Sequence, residues 1–379
     1  MMDKKEFNVD YNWVDSFWDQ IEKKLDVIAP QVEAVFADGI KDGKYVNRSK
    51  YWWTNGFWPG MMWLMYLKTG DDKFKNIAVK VEEALDESIV GFDGLHHDVG
   101  FMWLPSAVAN YRITGNEKSR TRGMHVATVL AGRFNLAGSY IRAWEPDTEQ
   151  TFAGWAIIDS MMNIPLLHWA SQVTTDPRFS FIANAHADMA MERFVRPDGS
   201  TRHVVISDPA TGEYIGESPT GGQGYAPGSC WSRGNSWALY GFALQYIHTG
   251  EEKYLDMAKK VAHYFMANID DSGVPKCDFR QPAEPYIVDT TAGAVAACGL
   301  IEISRVVPEG EKGMYLAGAV KLLKGLEANC DFSIDNQSIL QNGTGAYHGT
   351  ASHHIPIVYG DYYMMEALLK LKGNDILFW

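Results

Sequence analysis

The chain has 379 residues, of which 46% are hydrophobic, and this is the composition of a globular protein with a sizeable core. The net charge of −13 argues against a surface for nucleic acid or a long polyanion, although local Arg and His side chains could hold a small anion. No stretch is long and uncharged enough to cross a membrane, and the first residues lack the apolar core of a signal peptide. We therefore expect a cytoplasmic protein.

The cysteine and tryptophan contents narrow the class further. The chain has four cysteines, which are spread singly without CxxC spacing, so reduced structural thiols are predicted rather than a zinc site. The 13 tryptophans are unusual, because Trp faces stack on sugar rings but also fill ordinary cores. Only the positions of these tryptophans can decide between the two uses.

In chain order, residues 11–38 are predicted to form a helix, because apolar side chains recur there at helical spacing. A repeated layout follows, in which an apolar helix, a short charged turn and an amphipathic helix succeed one another. The layout covers residues 56–85, 101–134, 157–194, 233–269 and 289–326, and a last apolar helix lies at 360–373.

This repeat predicts an all-α fold. A helix that is apolar all round is buried on every side, whereas an amphipathic helix belongs to an outer layer. The last apolar helix has no following partner, and the first helix of the chain can take that place. We therefore predict an (α/α)6 barrel of six helical hairpins, forming a single domain over residues 1–379, with short strands in the polar connections 196–230 and 271–288. A linear helical solenoid is the alternative, but it would need polar-faced terminal repeats.

Hairpin connections make all inner helices run in the same direction, so their N-termini share one rim. The segments that lead into these helices interleave Trp, His, Asp and Arg, whereas the turns at the other rim, such as TGDDK, are plain charged loops. Helix N-termini also favour an anionic ligand. The sequence thus predicts a Trp-lined funnel at one rim.

Two aspartates are the candidates for chemistry in this funnel. Asp159 lies in an apolar stretch, where an ionised carboxylate is costly unless it is partnered, and this favours the protonated form that a general acid needs. Asp98 leads into the preceding inner helix, so we expect the two to face each other. Paired carboxylates in an aromatic cleft are typical of glycoside chemistry. The alternative is that both aspartates only cap helices.

Histidines and one arginine also stand in these segments. His96, His97 and Asp98 suggest a metal site, but adjacent side chains should diverge and no HExxH-like spacing is present, so neither a metal nor a cofactor is predicted. Arg233 lies between two tryptophans, and we expect it to donate to a substrate carboxylate rather than to pair with an acid in the core. His203 lies in the long irregular connection 196–230, where binding residues tend to occur.

Five ordered motifs carry a family resemblance over nearly the whole chain. They are WTNGFWPGMMWL, HHDVGFMW, IIDSMMNIPLLHWA, GSCWSRGNSWALYGFAL and YGDYYMMEALLKL. The chain resembles the unsaturated glucuronyl hydrolases of glycoside hydrolase family 88. That resemblance implies an α/α six-hairpin barrel that releases a 4,5-unsaturated uronic acid from the non-reducing end of lyase-generated oligosaccharides by hydration of the C4=C5 double bond.

The resemblance also implies roles for individual residues. Asp159 matches the acid/base that protonates C4 and activates water, and Asp98 matches the aspartate that contacts sugar hydroxyls and supports the transition state. The implied partner is an unsaturated uronyl di- or oligosaccharide, bound by a monomer or homodimer without nucleic acid, membrane or cofactor. The matching substrate-contacting residues are Trp53, His97, Trp144, His203, Gln223, Trp231, Arg233 and Trp237.

The chain departs from the family pattern at one place. Members that act on sulfated glycosaminoglycan disaccharides carry a Ser/Ser/Lys-type pattern shortly before the last inner helix. Here residues 345–354 read GAYHGTASHH, with Ala346, Gly349 and Ala351 and no Lys. A preference for sulfated chondroitin is therefore not expected, while heparin-type, hyaluronan-derived and gellan-type substrates remain open.

Three other functions compete with this one. An unsaturated rhamnogalacturonyl hydrolase shares the barrel and the chemistry, but the HHD motif favours the glucuronyl interpretation. A sugar 2-epimerase on the same barrel would depend on His353 or His354 rather than on Asp159. A non-catalytic sugar-binding protein would have no turnover to lose in Asp159→Asn.

Overall fold

A computed structural model describes residues 8–145, 152–374 and 377–379. Its α-helices are α1 (Tyr11–Val32), α2 (Phe57–Thr69), α3 (Asp72–Ala84), α4 (Asp86–Gly91), α5 (Val99–Trp103), α6 (Ala109–Thr114), α7 (Glu117–Gly132), α8 (Pro165–Thr174), α9 (Arg178–Arg193), α10 (Ser232–Thr249), α11 (Glu252–Ala267), α12 (Thr290–Val306), α13 (Glu309–Glu327) and α14 (Val358–Leu371). A π-helical turn (Leu104–Val108) joins α5 to α6, and short 3₁₀ turns cover Trp53–Gly56, Phe152–Gly154, Ile158–Met162 and Thr350–Ser352. The strands are β1 (Ala37–Lys41), β2 (Lys44–Asn47), β3 (Phe134–Asn135), β4 (Tyr140–Ile141), β5 (Trp155–Ile157), β6 (Val204–Ser207) and β7 (Tyr214–Glu217).

The helices form two concentric layers. The inner ring consists of α2, α5–α6, α8, α10, α12 and α14, and the outer ring consists of α3, α7, α9, α11, α13 and α1. The last inner helix, α14, contacts both α12 and α2, and α1 contacts α14 and α3. The ring is therefore closed by the first helix of the chain. This confirms the predicted (α/α)6 barrel, and the linear solenoid is wrong.

The turns between inner and outer helices explain why the hairpins form. Gly70 and Gly115 end inner helices in the left-handed conformation, with φ values of 72° and 73°, which glycine adopts at little cost. The next outer helices begin at Asp71 and Asn116, whose side chains accept backbone N–H groups of the first turn. Stop and start signals thus lie side by side, and the chain reverses within a few residues.

Two segments differ from the sequence prediction. The helix predicted over residues 11–38 ends at Val32, where Glu33 takes a φ of 51°, and residues 37–47 form the hairpin β1–β2. Its turn is Asp42-Gly43, a dipeptide that favours tight hairpins. In the second inner helix, Pro105 lies in the π-helical turn, so this helix is interrupted.

A small antiparallel sheet of order β5-β6-β7 lies at the rim where the inner helices begin. Strands β6 and β7 confirm the short strands predicted within 196–230, whereas the 271–288 connection makes isolated bridges such as Lys276 to Val288. Strand β5 leads directly into the 3₁₀ turn that carries Asp159. Within the described ranges, no helix has both the length and the apolar character needed to cross a membrane.

Candidate active site

A cavity of about 290 Å³ opens at the rim where the inner helices begin, close to the lower end of the roughly 300–1,000 Å³ range of small-molecule sites. Eight of the ten predicted site residues line it. The full lining consists of Trp52, Trp53, His96, His97, Asp98, Trp144, Ile157, Asp159, Gln223, Trp231 and Arg233.

Asp98 stands directly before α5, but its side chain makes no capping hydrogen bond. Its Oδ1 accepts a hydrogen bond of 3.1 Å from Nδ2 of Asn163, and its Oδ2 lies 3.2 Å from Nε2 of His97. Burial alone would raise the pKa of Asp98, yet the nearby His97 and His96 rings and the Asn163 amide hold this pKa below its ordinary value. Asp98 is therefore held in its ionised form.

Asp159 lies within the 3₁₀ turn Ile158–Met162 and does not cap it, since the capping position is Ile157. Its side chain is nearly buried, with the whole residue 9% exposed. Oδ1 is enclosed without a hydrogen-bond partner among the described residues, and Nε2 of His203 lies 3.6 Å away. The alternative that both aspartates serve only as caps is therefore wrong.

The tautomer of His203 follows from its surroundings. The backbone N–H of Gln223 donates to Nδ1 of His203 over 2.9 Å, so this nitrogen carries no proton. In the neutral ring the proton is then on Nε2, the atom that faces Asp159. The ring also packs on Trp231, with centroids 4.4 Å apart. His203 thus offers an N–H to the carboxyl group of Asp159.

The side chains of His96 and His97 do not diverge, contrary to the expectation from their adjacent positions in the sequence. Ring nitrogens of both residues lie within 4.8 Å of each other and of an Asp98 oxygen. However, Nδ1 of His96 accepts the N–H of Asp98, and Nε2 faces the carbonyl of Tyr51, so His96 has no free lone pair for a cation. Burial lowers the pKa of His97 to about 4, which keeps that ring neutral. Both rings therefore fit a hydrogen-bonding role around Asp98.

Arg233 has partners within the protein. It lies at the cavity but is only 1% exposed, and its Nη1 pairs with Asp289, the residue that caps α12. Nη2 donates to the carbonyl of Gly345 over 2.7 Å. The guanidinium also lies over the ring of Trp231, 4.4 Å from its centroid. The alternative, an arginine paired with an acid, therefore occurs at the cavity wall. Contact of this guanidinium with a substrate carboxylate stays a prediction.

The tryptophans divide into wall and floor. Trp53, Trp144 and Trp231 line the cavity, as does Trp52, which the sequence analysis missed although it adjoins Trp53. Trp237 is 0% exposed and lies one turn deeper on α10, where it packs on Phe101 with centroids 5.0 Å apart. Helical spacing thus places Trp237 in the core below the cavity, and its contact with a substrate stays a prediction.

Gln223 connects the cavity wall to the segment before the last inner helix. Its Nε2 donates to the carbonyl of Gly345 over 2.8 Å, and its carbonyl accepts the N–H of Tyr347 over 2.9 Å. The GAYHGTASHH stretch thus lies beside the cavity. His353 does not line the cavity, and its Nε2 faces the carbonyl of Tyr347 at 2.7 Å.

Asn163 is the other residue that sequence reasoning missed. It is fully buried, and its Nδ2 donates both to Oδ1 of Asp98 and to the carbonyl of Asp159, each over 3.1 Å. Its Oδ1 accepts the N–H of Phe101 over 2.8 Å. A single amide therefore fixes Asp98, the start of α5 and the backbone of Asp159 relative to one another.

Comparisons with known proteins identify the family of the chain. The model of Glycosyl Hydrolase Family 88 matches residues 31–367. The unsaturated glucuronyl hydrolase of Bacillus sp. (strain GL1) is 35% identical over 350 residues, covering 90% of this chain and 92% of the relative. The unsaturated chondroitin disaccharide hydrolase of Streptococcus pneumoniae (strain ATCC BAA-255 / R6) is 34% identical over 335 residues, covering 86% and 83%.

A solved structure gives the same result. The crystal structure of an unsaturated glucuronyl hydrolase from Bacillus sp. GL1, described as responsible for the degradation of glycosaminoglycan, superimposes with a TM-score of 0.88 at 32% identity. The match covers 96% of this chain and 97% of that structure. Both the family model and the curated relatives span most of the barrel, and the chain belongs to glycoside hydrolase family 88.

Proposed function

We propose that this protein is an unsaturated glucuronyl hydrolase, a glycosidase that releases a 4,5-unsaturated uronic acid from the non-reducing end of lyase-generated oligosaccharides. The observation that carries the proposal is the pairing of two aspartates in a Trp-walled cavity, one ionised by its neighbours and one with an enclosed, unbonded oxygen. Family membership and the activities named for the relatives support it.

The proposed reaction is a hydration. The carboxyl group of Asp159 gives its proton to C4 of the double bond, and the resulting carboxylate takes a proton from water as the water oxygen bonds to C5. C5 then bears a hydroxyl group and the ring oxygen, which is a hemiketal. Ring opening leaves a ketone at C5 and a hemiacetal at C1, and the hemiacetal expels the aglycone as an alcohol.

The neighbouring groups divide the remaining work. Asp98, held ionised, accepts hydrogen bonds from sugar hydroxyls and offsets the positive charge that develops when C4 is protonated. His203 donates its Nε2–H towards Asp159, which orients that carboxyl group and stabilises it after proton transfer. Trp53, Trp144 and Trp231 supply ring faces against the sugar.

We propose roles for Arg233 and Trp237 that differ from the substrate contacts implied by the family resemblance. Arg233 contributes a positive field and a fixed position for Trp231, since its Nη atoms are bonded to Asp289 and to backbone carbonyls. Trp237 supports the cavity from below. Gln223 and His97 remain proposed substrate contacts, because both line the cavity.

The proposed preference for the aglycone sugar is based on residues 345–354, which lie beside Gln223. The 345–354 stretch contains no lysine, so we propose weak activity on sulfated chondroitin disaccharides and better activity on unsulfated ones. We further propose that residues 1–379 act as one catalytic domain, as a monomer or homodimer. A cytoplasmic location is supported by four unpaired thiols among the described residues.

The test is a substrate panel in which the ultraviolet absorbance of the conjugated double bond is followed. We expect the signal to fall with an unsulfated unsaturated glucuronyl disaccharide, and more slowly with its 6-sulfated counterpart. In H₂¹⁸O the label should enter at C5 of the released sugar. Turnover of an unsaturated rhamnogalacturonyl disaccharide alone would replace the glucuronyl assignment, and label at C1 with a persistent signal would refute the hydration chemistry.

A further inference from the structure

A buried arginine behind the cavity contacts both loops that carry site residues. Arg133 follows α7 in the outer ring and is only 7% exposed. It lines the outer side of these loops and is absent from the cavity lining. Its guanidinium nonetheless donates to three backbone carbonyls of the cavity rim, and it also pairs with the carboxylate of Glu145.

The first loop leads to Asp98. Nη1 of Arg133 donates to the carbonyl of Leu95 over 3.4 Å, in the residue just before His96 and His97. Leu95 is itself buried, so this carbonyl has no access to bulk water. The contact therefore anchors the beginning of the His-His-Asp segment.

The second loop carries Trp144. Nε of Arg133 donates to the carbonyl of Arg142 over 2.9 Å, and Nη2 donates to the carbonyl of Ala143 over 3.1 Å. On its other side, the N–H of Ala143 donates to the carbonyl of Trp155 over 2.9 Å. Trp155 begins β5, the strand that leads into Asp159.

We propose that Arg133 is a positioning residue for the reaction, which sets the separation of the His-His-Asp loop, Trp144 and the strand before Asp159 through its planar fan of donors. Only an arginine has donors at three nitrogens in one plane, so lysine cannot span the same carbonyls. The inference rests on the proposed function for its kinetic effect, but its structural part is independent of it.

Arg133 also contributes charge. The charged and titratable groups that face His97 include Asp98, His96, Asp159, Arg133 and His186. Those that face Arg133 include Glu145, Arg142 and Asp98. Removal of this cation would raise the pKa of nearby groups, which lysine would prevent. Two substitutions can therefore separate geometry from charge.

The experiment compares Arg133→Lys and Arg133→Met with Arg122→Lys and Arg122→Met. Arg122 is a matched control, because it lies on α7, the helix that Arg133 follows, and its ion pairs within the described ranges are with Glu82 and Asp86 rather than with either loop. We expect both Arg133 variants to lose at least about tenfold in kcat/KM at 25 °C, and the Arg122 variants to stay within about twofold. Arg133→Met should also move the acid limb of the kcat/KM profile to higher pH, and Arg133→Lys should not.

A second readout needs no turnover. With 5-fluorotryptophan labelling and Trp144→Phe to assign the resonance, the ¹⁹F signal of Trp144 should shift or broaden in Arg133→Lys and stay unchanged in Arg122→Lys. An unchanged Trp144 signal, or equal kinetic losses in both sets at equal thermal stability, would overturn the positioning role. If the wild type turned over no unsaturated uronyl substrate, the proposed function would fail, and the ¹⁹F comparison would still decide on Arg133.

Discussion

Nε2 of His203 lies 3.6 Å from Oδ1 of Asp159, and the Gln223 amide fixes its proton on the side of the aspartate. The separation exceeds a normal hydrogen bond, so a small movement on ligand binding would complete it. Asp159 therefore has its partner in place before any substrate arrives, while its Oδ1 stays unbonded within the described residues.

Replacement of His203 tests this relationship. We expect His203→Phe, which keeps a ring against Trp231 but has no N–H, to lower kcat by about 10²-fold with a smaller change in KM. Steady-state kinetics on an unsaturated disaccharide would measure it. His263→Phe is the control, because that ring stacks on Tyr315 between outer helices. A His203→Phe enzyme with wild-type kcat would remove the histidine from the mechanism.

Asn163 provides a test of the ionised state of Asp98. Asn163→Asp can still accept the Phe101 amide, but it replaces a donor to Asp98 with a second carboxylate, which raises the pKa of Asp98. We expect the acid limb of the kcat/KM profile to move up by about one pH unit or more, and by less in Asn163→Ala. An acid limb that stays in place in both variants would mean that Asp98 need not be ionised.

Buried histidines should make the fold sensitive to acid. Burial, with repulsion from His97, lowers the pKa of His186 from 6.5 to about 3, and its Nδ1 accepts the Ile141 amide. Between these two pKa values the unfolded chain binds one more proton than the native state. The contribution of neutral His186 to the free energy of unfolding is therefore complete above the unfolded pKa and is lost as the pH falls towards the native pKa.

The corresponding measurement is urea unfolding between pH 6 and 4, the range of interest for this group. His186→Gln should reduce the slope of unfolding free energy against pH by about 1.4 kcal/mol per pH unit. The exposed His125→Gln serves as the matched control and should keep the wild-type slope. Equal slopes in all three proteins would contradict a neutral His186 in the native state.

The division of tryptophans into wall and floor can be tested by comparison. Trp144→Ala removes a ring face at the cavity, and we expect KM to rise about tenfold. Trp237→Phe removes volume from the core, so it should lower the unfolding free energy by about 1–3 kcal/mol and change KM less than about twofold. A Trp237→Phe enzyme whose KM rises as much as that of Trp144→Ala would return Trp237 to the binding surface.

The barrel was predictable because its signals are local. Helical periodicity marks the inner and outer helices, and the pairs Gly70 with Asp71 and Gly115 with Asn116 mark two of the reversals within two residues. The hairpin over residues 37–47 carries a hairpin dipeptide, Asp42-Gly43, but apolar residues at helical spacing continue past Glu33 and favour a longer helix. The helical apolar spacing and the Asp42-Gly43 turn thus favour different structures in this segment, and the structure adopts the hairpin.

The errors at the site involve partners that are distant in sequence. Asp289, which pairs with Arg233, lies 56 residues away, and Asn163 lies 65 residues from Asp98. Each contact depends on how far two neighbouring inner helices are shifted relative to each other along the barrel axis. Helical periodicity does not specify that shift. Trp237 follows the same rule, since its exposure depends on how deep α10 is set in the ring.

The most direct test of the account compares wild type with Asp159→Asn. Each protein would be incubated with an unsulfated unsaturated glucuronyl disaccharide while the ultraviolet absorbance of the conjugated double bond is recorded. Calorimetric titration would check that the variant still binds the disaccharide. We predict that the signal falls with wild type, and that Asp159→Asn binds the disaccharide but turns it over at least about 10³-fold more slowly. Equal rates of signal loss in the two proteins would show that Asp159 is not the acid/base of the reaction.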